Sequence, residues 1–363
     1  MSGMTRPISV VHLLSADLWA GAEVATFHLV RALTRRTEVD VRVVTLNHGE
    51  LTQRLERSGV PVEVEPEAGR SFASLLPAVR RRLAGADLVH AHRYKENLLA
   101  ALSGRPWLST QHGRPEPVRS VLPWARNRVY GELDRWVKRR SARTVIAVSK
   151  EIEVWLGRQI GSERVLRSWN GIDDPIQGEV PIPWTERPLR VGIAARLSPV
   201  KNVELAIDAI SACPGIELEI VGDGPEREHL ERQIEALGAS QRIRLLGFTQ
   251  NPHPLMKSWR ALLVPSLHEG NPIGVLESLA LGTPVLAAPL PGVGEILADK
   301  GGRVQPDRDA ARWAERIQAF VRDEAAGTRL SIEARARFLD AFTADAAAVR
   351  CVSIYRDALA LAE

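Results

Sequence analysis

Short apolar runs rich in β-branched residues recur along the chain, and the stretches between them carry apolar residues at helical spacing. In the first half the runs fall at 8–14, 39–46, 87–91, 106–110 and 143–149. Strand-like runs alternating with helical patterns predict a parallel sheet covered by helices on both faces. Between 171 and 188 the period disappears and prolines and glycines cluster, so an interdomain linker is expected there, with the boundary near 183. The alternation then restarts at 189–196, 216–222, 242–247, 261–266, 283–288 and 302–306. The pattern predicts two α/β, doubly wound domains, 1–183 and 184–346. The helical tail, whose period runs through 335–363, is expected to pack back on the first domain through 347–363. Two such domains facing each other would leave a central cleft at the carboxyl ends of their sheets, where ligands of open α/β sheets bind.

Length and composition agree with that division. A chain of 363 residues exceeds the roughly 250–300 at which single cores stop growing. Hydrophobic residues at 45% and charged residues at 25% are globular proportions. The net charge of +4 suits anionic partners such as phosphates but is too small to argue for nucleic acid. Two cysteines, Cys213 and Cys351, build neither a disulfide framework nor a zinc cluster, which points to a reducing compartment. The N-terminal apolar run is short and followed by Asp17, so it reads as a first strand and not as a secretory leader. No stretch approaches the ~18 apolar residues of a spanning helix. A cytoplasmic protein is expected, at most peripheral on the inner face of a membrane.

The stretch 262–288, LLVPSLHEGNPIGVLESLALGTPVLAA, carries the chemistry. A buried strand ends, Pro265 to Gly270 make a turn, and a helix begins that Gly282 terminates as its C-cap. A helix start at the carboxyl end of a sheet aims unpaired N–H groups and a positive dipole end at a ligand, the arrangement that suits phosphate. Glu269 lies in the loop and Glu277 about one turn into the helix, and carboxylates hold vicinal hydroxyls through charge-assisted hydrogen bonds. A nucleotide sugar, with diphosphate between hydroxyl-rich rings, satisfies that layout. The strand end, turn and helix of 193–210 place Arg196 and Lys201 beside the expected cleft, where two cations would offset a diphosphate. Taken singly, each of these residues reads more simply as a solvated loop or helix side chain. The VGDGPE turn at 221–226 is a lone G-x-G and weak by itself.

These residues resemble the retaining glycosyltransferases of family four, which have the two-domain GT-B fold. The loop EGNPIGVLE, the preceding PS, ARLSPVKN, VGDGP, LLGF and GTPVLA…PGVGEIL all occur in family order, over 189 to about 297. In the first half the likeness thins to WAGAEVATFHLVRAL, LVHAHRYKENLLAAL, STQHG, AVSKEI and WNGID. The resemblance implies that Glu277 holds the nucleotide ribose, and that Glu269 lies near the donor-sugar hydroxyls. It implies that Asn271, Pro272, Ile273 and Gly274, with Gly270, line sugar or phosphate, and that Arg196 and Lys201 meet the diphosphate. Gly222 and Phe248 lie in its nucleotide-side motifs, His112 matches a histidine beside the reacting sugar, and Gly21 a glycine loop opposite the diphosphate. Two departures stand out: Ala20-Gly21 replaces a common glycine pair, and Asn271-Pro272 replaces phenylalanine-glycine. Proline removes one amide donor, so the sugar contact at Pro272 differs from the commoner pattern.

Four other histidines, His12, His28, His90 and His92, sit in apolar or strand contexts and read as packing or capping residues. Asp307-Arg-Asp309 imitates a metal-binding D-x-D but opens a helix, where Asp is an ordinary residue, so no metal site is assigned and no cofactor is expected. The basic segment 123–143 carries Trp124, Val129, Leu133, Trp136 and Val137 on one helical face. Core packing with a solvated basic face is preferred there over a membrane-surface helix. The reading is a metal-independent transferase moving a sugar from a nucleoside diphosphate, UDP preferred and GDP second, to a hydroxyl acceptor in polysaccharide, glycolipid or secondary-metabolite synthesis. Retention of configuration follows from the resemblance. The acceptor is expected to meet loops such as 111–125, and a hinge near 183 to close over donor. A nucleotide-sugar epimerase and a catalytically silent nucleotide-sugar binder are the alternatives. An NAD enzyme is disfavoured because no G-x-G-x-x-G follows the first strand.

Overall fold

The structure is a computed structural model that describes residues 6–17, 19–114 and 121–360, without the side chains of 121–127. The chain divides into two compact units, Met1–Asp173 with Ala344–Glu363, and Asp174–Thr343.

In the first unit the strands are β1 (Ile8–Leu14), β2 (Val39–Thr45), β3 (Val62–Val64), β4 (Leu88–Ala91), β5 (Trp107–Gln111), β6 (Val145–Ala147) and β7 (Val165–Arg167). Among the described residues they form one parallel sheet in the order β3-β2-β1-β4-β5-β6-β7. The order reverses between β1 and β4, the switch point of a doubly wound sheet. The pleat sorts β1: Val10 and Leu14 join the core beneath helices Gly21–Thr34 and Ala344–Ala360, whereas Val11 and Leu13 join the core of the opposite face. A one-residue slip would exchange the two faces, and burying each Val or Leu contributes roughly 1.5–3 kcal/mol. Register therefore follows from the alternation.

The second unit holds β8 (Arg190–Ala194), β9 (Glu217–Val221), β10 (Ile243–Gly247), β11 (Ala261–Val264), β12 (Val285–Ala287) and β13 (Gly302–Val304). Among the described residues its parallel sheet runs β10-β9-β8-β11-β12-β13, the same winding as the first. Helices Val203–Ser211, Ile273–Ala280, Ala310–Arg322 and Glu324–Ala341 belong to it.

Three expectations change. The boundary lies at 173/174, ten residues before the one expected near 183, because the aperiodic segment is pinned to the second unit. Asp174 pairs with Arg335 at 2.6 Å. Buried Trp184 donates to the Arg260 carbonyl at 2.9 Å, and buried Arg187 donates to the carbonyls of Ile182, Trp259 and Gly282. Such polar and aromatic anchoring leaves no apolar period to read. The strands β3 and β7, three residues each at the sheet edges, were not foreseen, being too short to alternate visibly. The basic helix forms as Val121–Ser141, but its apolar face is not core: Val129, Leu133 and Trp136 are 59%, 43% and 62% exposed, and Val137 alone of the four is buried. Trp124 lies outside the described side chains.

Candidate functional site

In the second unit the loops after β8, β9, β11 and β12 converge at the carboxyl end of the sheet. The chain leaves β11 through buried Ser266, passes Glu269, and enters helix Ile273–Ala280 at Pro272, whose side chain makes no cap. Its first N–H groups therefore have no partner within the helix. The Glu269 carboxylate accepts from Lys201 Nζ at 2.7 Å and from Ser266 Oγ at 2.8 Å, both on the same oxygen. Lys201 reaches it from a 3-10 turn, Pro199–Lys201, closed by Asn202 in the left-handed conformation at φ 49°. Asn202 also donates to the Pro265 carbonyl at 3.2 Å, and the Leu267 amide to the Val200 carbonyl at 2.8 Å. Two loops are thus tied together around one carboxylate.

One turn into the helix, Glu277 Oε1 lies 3.2 Å from His253 Nε2. His253 and Ser266 escaped the sequence reading, since a single polar residue far along the chain leaves no pattern. Arg196 is exposed just beyond β8. Gly222 follows β9 at φ 139°, where a Cβ would also lie 1.8 Å from the Ala195 carbonyl oxygen, so only glycine fits. Phe248, past β10, is 61% exposed. Gly270, Asn271, Ile273 and Gly274 line the bend, with Asn271 and Ile273 buried. Asp309 caps helix Ala310–Arg322 by accepting from the Arg312 amide at 2.9 Å, and Asp307 pairs with Arg312 and Arg316. Both aspartates are engaged in helix structure.

In the first unit Gly21 opens helix Gly21–Thr34 and is exposed. Buried Glu23 pairs with Arg93 and accepts from the Ala20 amide; burial raises its pKa despite the arginine. His112 stands just past β5, and it is not alone. The register pairs His12 of β1 with His90 of β4, and the pleat turns His92 to the same face. Their apolar and strand contexts in the sequence imply packing or capping roles. They are buried, yet they form a hydrogen-bonded cluster: His12 Nδ1 to His92 Nε2 at 3.1 Å, and His92 Nδ1 to His112 Nε2 at 3.2 Å. His12 Nε2 and His90 Nδ1 meet the Tyr355 hydroxyl at 3.0 and 2.8 Å, and His90 Nε2 meets Thr110 Oγ1 at 2.7 Å. Burial depresses all four rings, His12 to about 3 and His112 to about 4, with Arg93 adding to the effect at His112. His12, His90 and His92 also bring ring nitrogens within 4.8 Å of one another, a grouping able to hold a metal. His28 instead bonds Asp173, at 3.0 Å.

Residues 19–174 match a family model described as Glycosyltransferase Family 4, and residues 180–337 one described as Glycosyl transferases group 1. The lipopolysaccharide core biosynthesis glycosyltransferase LpsE of Rhizobium meliloti is 31% identical over 40% of this chain and 43% of that protein. The 2-deoxystreptamine N-acetyl-D-glucosaminyltransferase of Streptomyces fradiae is 27% identical over 80% of this chain and 78% of that protein. For the first curated relatives the matched segment spans less than half of their length, 41 to 46%. A crystal structure of Anabaena Alr3699/HepE in complex with UDP superposes with a TM-score of 0.83 at 22% identity, over 96% of this chain and 100% of that one, which establishes the shared fold. With one model matching most of each unit and the winding of both sheets in agreement, the chain belongs to the GT-B glycosyltransferases of family-4 type.

Proposed function

We propose that the protein transfers a sugar, with retention of configuration and without a metal, from a nucleoside-diphosphate donor to a hydroxyl acceptor. The observation that carries the reading is Glu269, gripped by Lys201 and Ser266 beside the uncapped start of helix Ile273–Ala280. A carboxylate so held can accept hydroxyl protons of a sugar, while Lys201, Arg196 and the helix start hold the departing diphosphate. Glu277, with His253 behind it, would take the ribose hydroxyls. No side chain is cast as nucleophile: the leaving phosphate oxygen takes the acceptor proton as the new C–O bond forms on the face the phosphate leaves. UDP is the preferred carrier and GDP the second; the relative seen with UDP supports that order. The relatives named for lipopolysaccharide core and for 2-deoxystreptamine suggest a glycan, glycolipid or small aminocyclitol-like acceptor.

The test is a melting-temperature screen with UDP- and GDP-sugars, followed by transfer assays with EDTA present. A cognate donor at 100 times its Kd stabilises by roughly 2.7 kcal/mol. Transfer should persist in EDTA and fall by about a hundredfold or more in Lys201→Ala, the scale of losing one preorganised charge partner. Near-normal turnover of that variant, or dependence on added metal, would refute the proposal.

A further inference from the structure

The four histidines form a chain whose proton positions can be worked out from their partners. Thr26, buried on helix Gly21–Thr34, donates its hydroxyl proton to the Ala22 carbonyl at 2.8 Å. Its oxygen can then only accept from His92 Nδ1, 3.4 Å away, so Nδ1 of His92 carries the proton. That N–H lies also 3.2 Å from His112 Nε2, which must accept it. His92 Nε2, now bare, accepts from His12 Nδ1–H, and His12 Nε2 accepts the Tyr355 hydroxyl proton. The tyrosine oxygen in turn accepts from His90 Nδ1–H, and His90 Nε2 from Thr110. His12, His90 and His92 each use one donor and one acceptor, which neutral imidazole alone can satisfy. One polar atom remains: His112 Nδ1, buried without a hydrogen-bond partner among the described residues. With Nε2 accepting, that atom carries a proton.

We propose that Thr26, His92, His12 and Tyr355 are positioning residues that fix His112 as the neutral Nδ1–H tautomer, so that the first unit offers a hydrogen-bond donor from the carboxyl end of its sheet. The role of that donor in transfer rests on the function proposed above; the tautomer does not. Helix Ala344–Ala360, which belongs to the first unit, supplies Tyr355 as the link between His90 and His12. His92 and His112 also line a pocket with Thr26, Thr110, Trp169 and Cys351.

Two isosteric changes test it, Thr26→Val and Tyr355→Phe, with Thr26→Ser as rescue, in protein labelled with 15N-histidine. In the parent, His112 should show the Nδ1-protonated imidazole signature. Each of the two changes should bring in the Nε2-protonated form, and Thr26→Ser should restore the parent pattern. In transfer assays kcat should fall about tenfold, the equivalent of one hydrogen bond, with the donor KM held within about twofold. An Nε2-protonated His112 in the parent overturns the proposal, as do unaltered nitrogen signals in both variants. So does one equivalent of metal purified with the protein and lost on His12→Phe. Tautomer shifts without any transferase activity would retain the chain and refute the function instead.

Discussion

Gly292, second residue of helix Pro291–Leu297, has a backbone that other residues could adopt, yet a Cβ there would lie 2.3 Å from the Gly270 carbonyl oxygen and 2.9 Å from that of Glu269. No folded chain keeps such a contact, so Gly292→Ala must displace the loop that carries Glu269. Overpacking of this kind costs about 1–3 kcal/mol. Gly294, two residues on, meets only the Val304 side chain at 3.7 Å. Gly294→Ala should therefore be neutral or stabilising by about 0.5–1 kcal/mol. Calorimetric titration of the cognate nucleotide should find binding weakened about tenfold or more in the first variant, as expected for 1.4 kcal/mol, and unchanged in the second; equal affinities would show that the approach does not shape the site. Glu269, Glu277 and Lys201 were legible in the sequence because turn chemistry and helix onset bracket them. Ser266, His253 and Tyr355 were not, for their importance lies in which distant atom they touch. His12, His90 and His92 were expected only to pack or cap, and their meeting depends on a β1–β4 register, His12 opposite His90, that spacing cannot supply.

At the scale of elements, most strands announced themselves by alternation, and the exceptions were the short edges β3 and β7 and the pinned segment 174–187. The basic helix expected over 123–143 forms two residues earlier, as Val121–Ser141, and its apolar face is exposed where core packing was expected. Its periodic apolar face is the same signal whether the face meets a core or a membrane, and only neighbouring elements decide. Val129, Leu133 and Trp136 follow one stripe of exposed surface, Tyr130 stacks on Tyr94 at 5.3 Å, and Arg128, Arg139 and Arg140 are exposed on the same helix. Aromatic, aliphatic and basic groups so combined suit an anionic lipid surface. No described helix is long and apolar enough to cross a membrane. Cosedimentation with vesicles of mixed phosphatidylglycerol and phosphatidylcholine should show binding that high salt weakens. Trp136→Ala with Leu133→Ala should reduce it by about tenfold or more, since full burial of one such side chain contributes roughly 1.5–3 kcal/mol and about 1.4 kcal/mol is tenfold. Equal binding to purely zwitterionic vesicles would argue against an anionic surface as the partner.

Across the whole molecule the buried ionisable groups are unevenly shared. The first unit keeps His12, His90 and His92 almost wholly out of water, at 0%, 0% and 6% exposure, with Arg93 and one another's rings holding their pKa values down beyond the effect of burial at His92. A base depressed in the fold binds fewer protons there than in the unfolded chain. Its stabilisation is thus complete above about pH 6.5 and is lost as the pH falls toward the folded value. At pH 5 His12, depressed to about 3, has forfeited about 2 kcal/mol, and His90 and His92 act in the same direction. Glu23 and Glu96 oppose this: burial raises both, so the fold gains from them as the pH falls through their raised values, recovering part of the loss. Asp173 is lowered, burial being outweighed by His28, Arg31 and Arg35, and its contribution persists until the pH drops below about 3.8. The second unit's shifted carboxylates behave like Asp173: Asp174, where Arg335 outweighs burial, and Asp307, where Arg316 leads, hold their stabilisation down to the same range. Lowering the pH from 7.5 to 5 should therefore loosen β1, β4 and β5 far more than β8, β9 and β11. Hydrogen exchange corrected for the intrinsic rate should show protection lost selectively from the first set, because amides of core strands report opening of their own unit. Parallel loss in both sheets would mean that the imidazoles do not govern the acid response, and unchanged protection in β1 and β4 would mean that the rings are not held neutral.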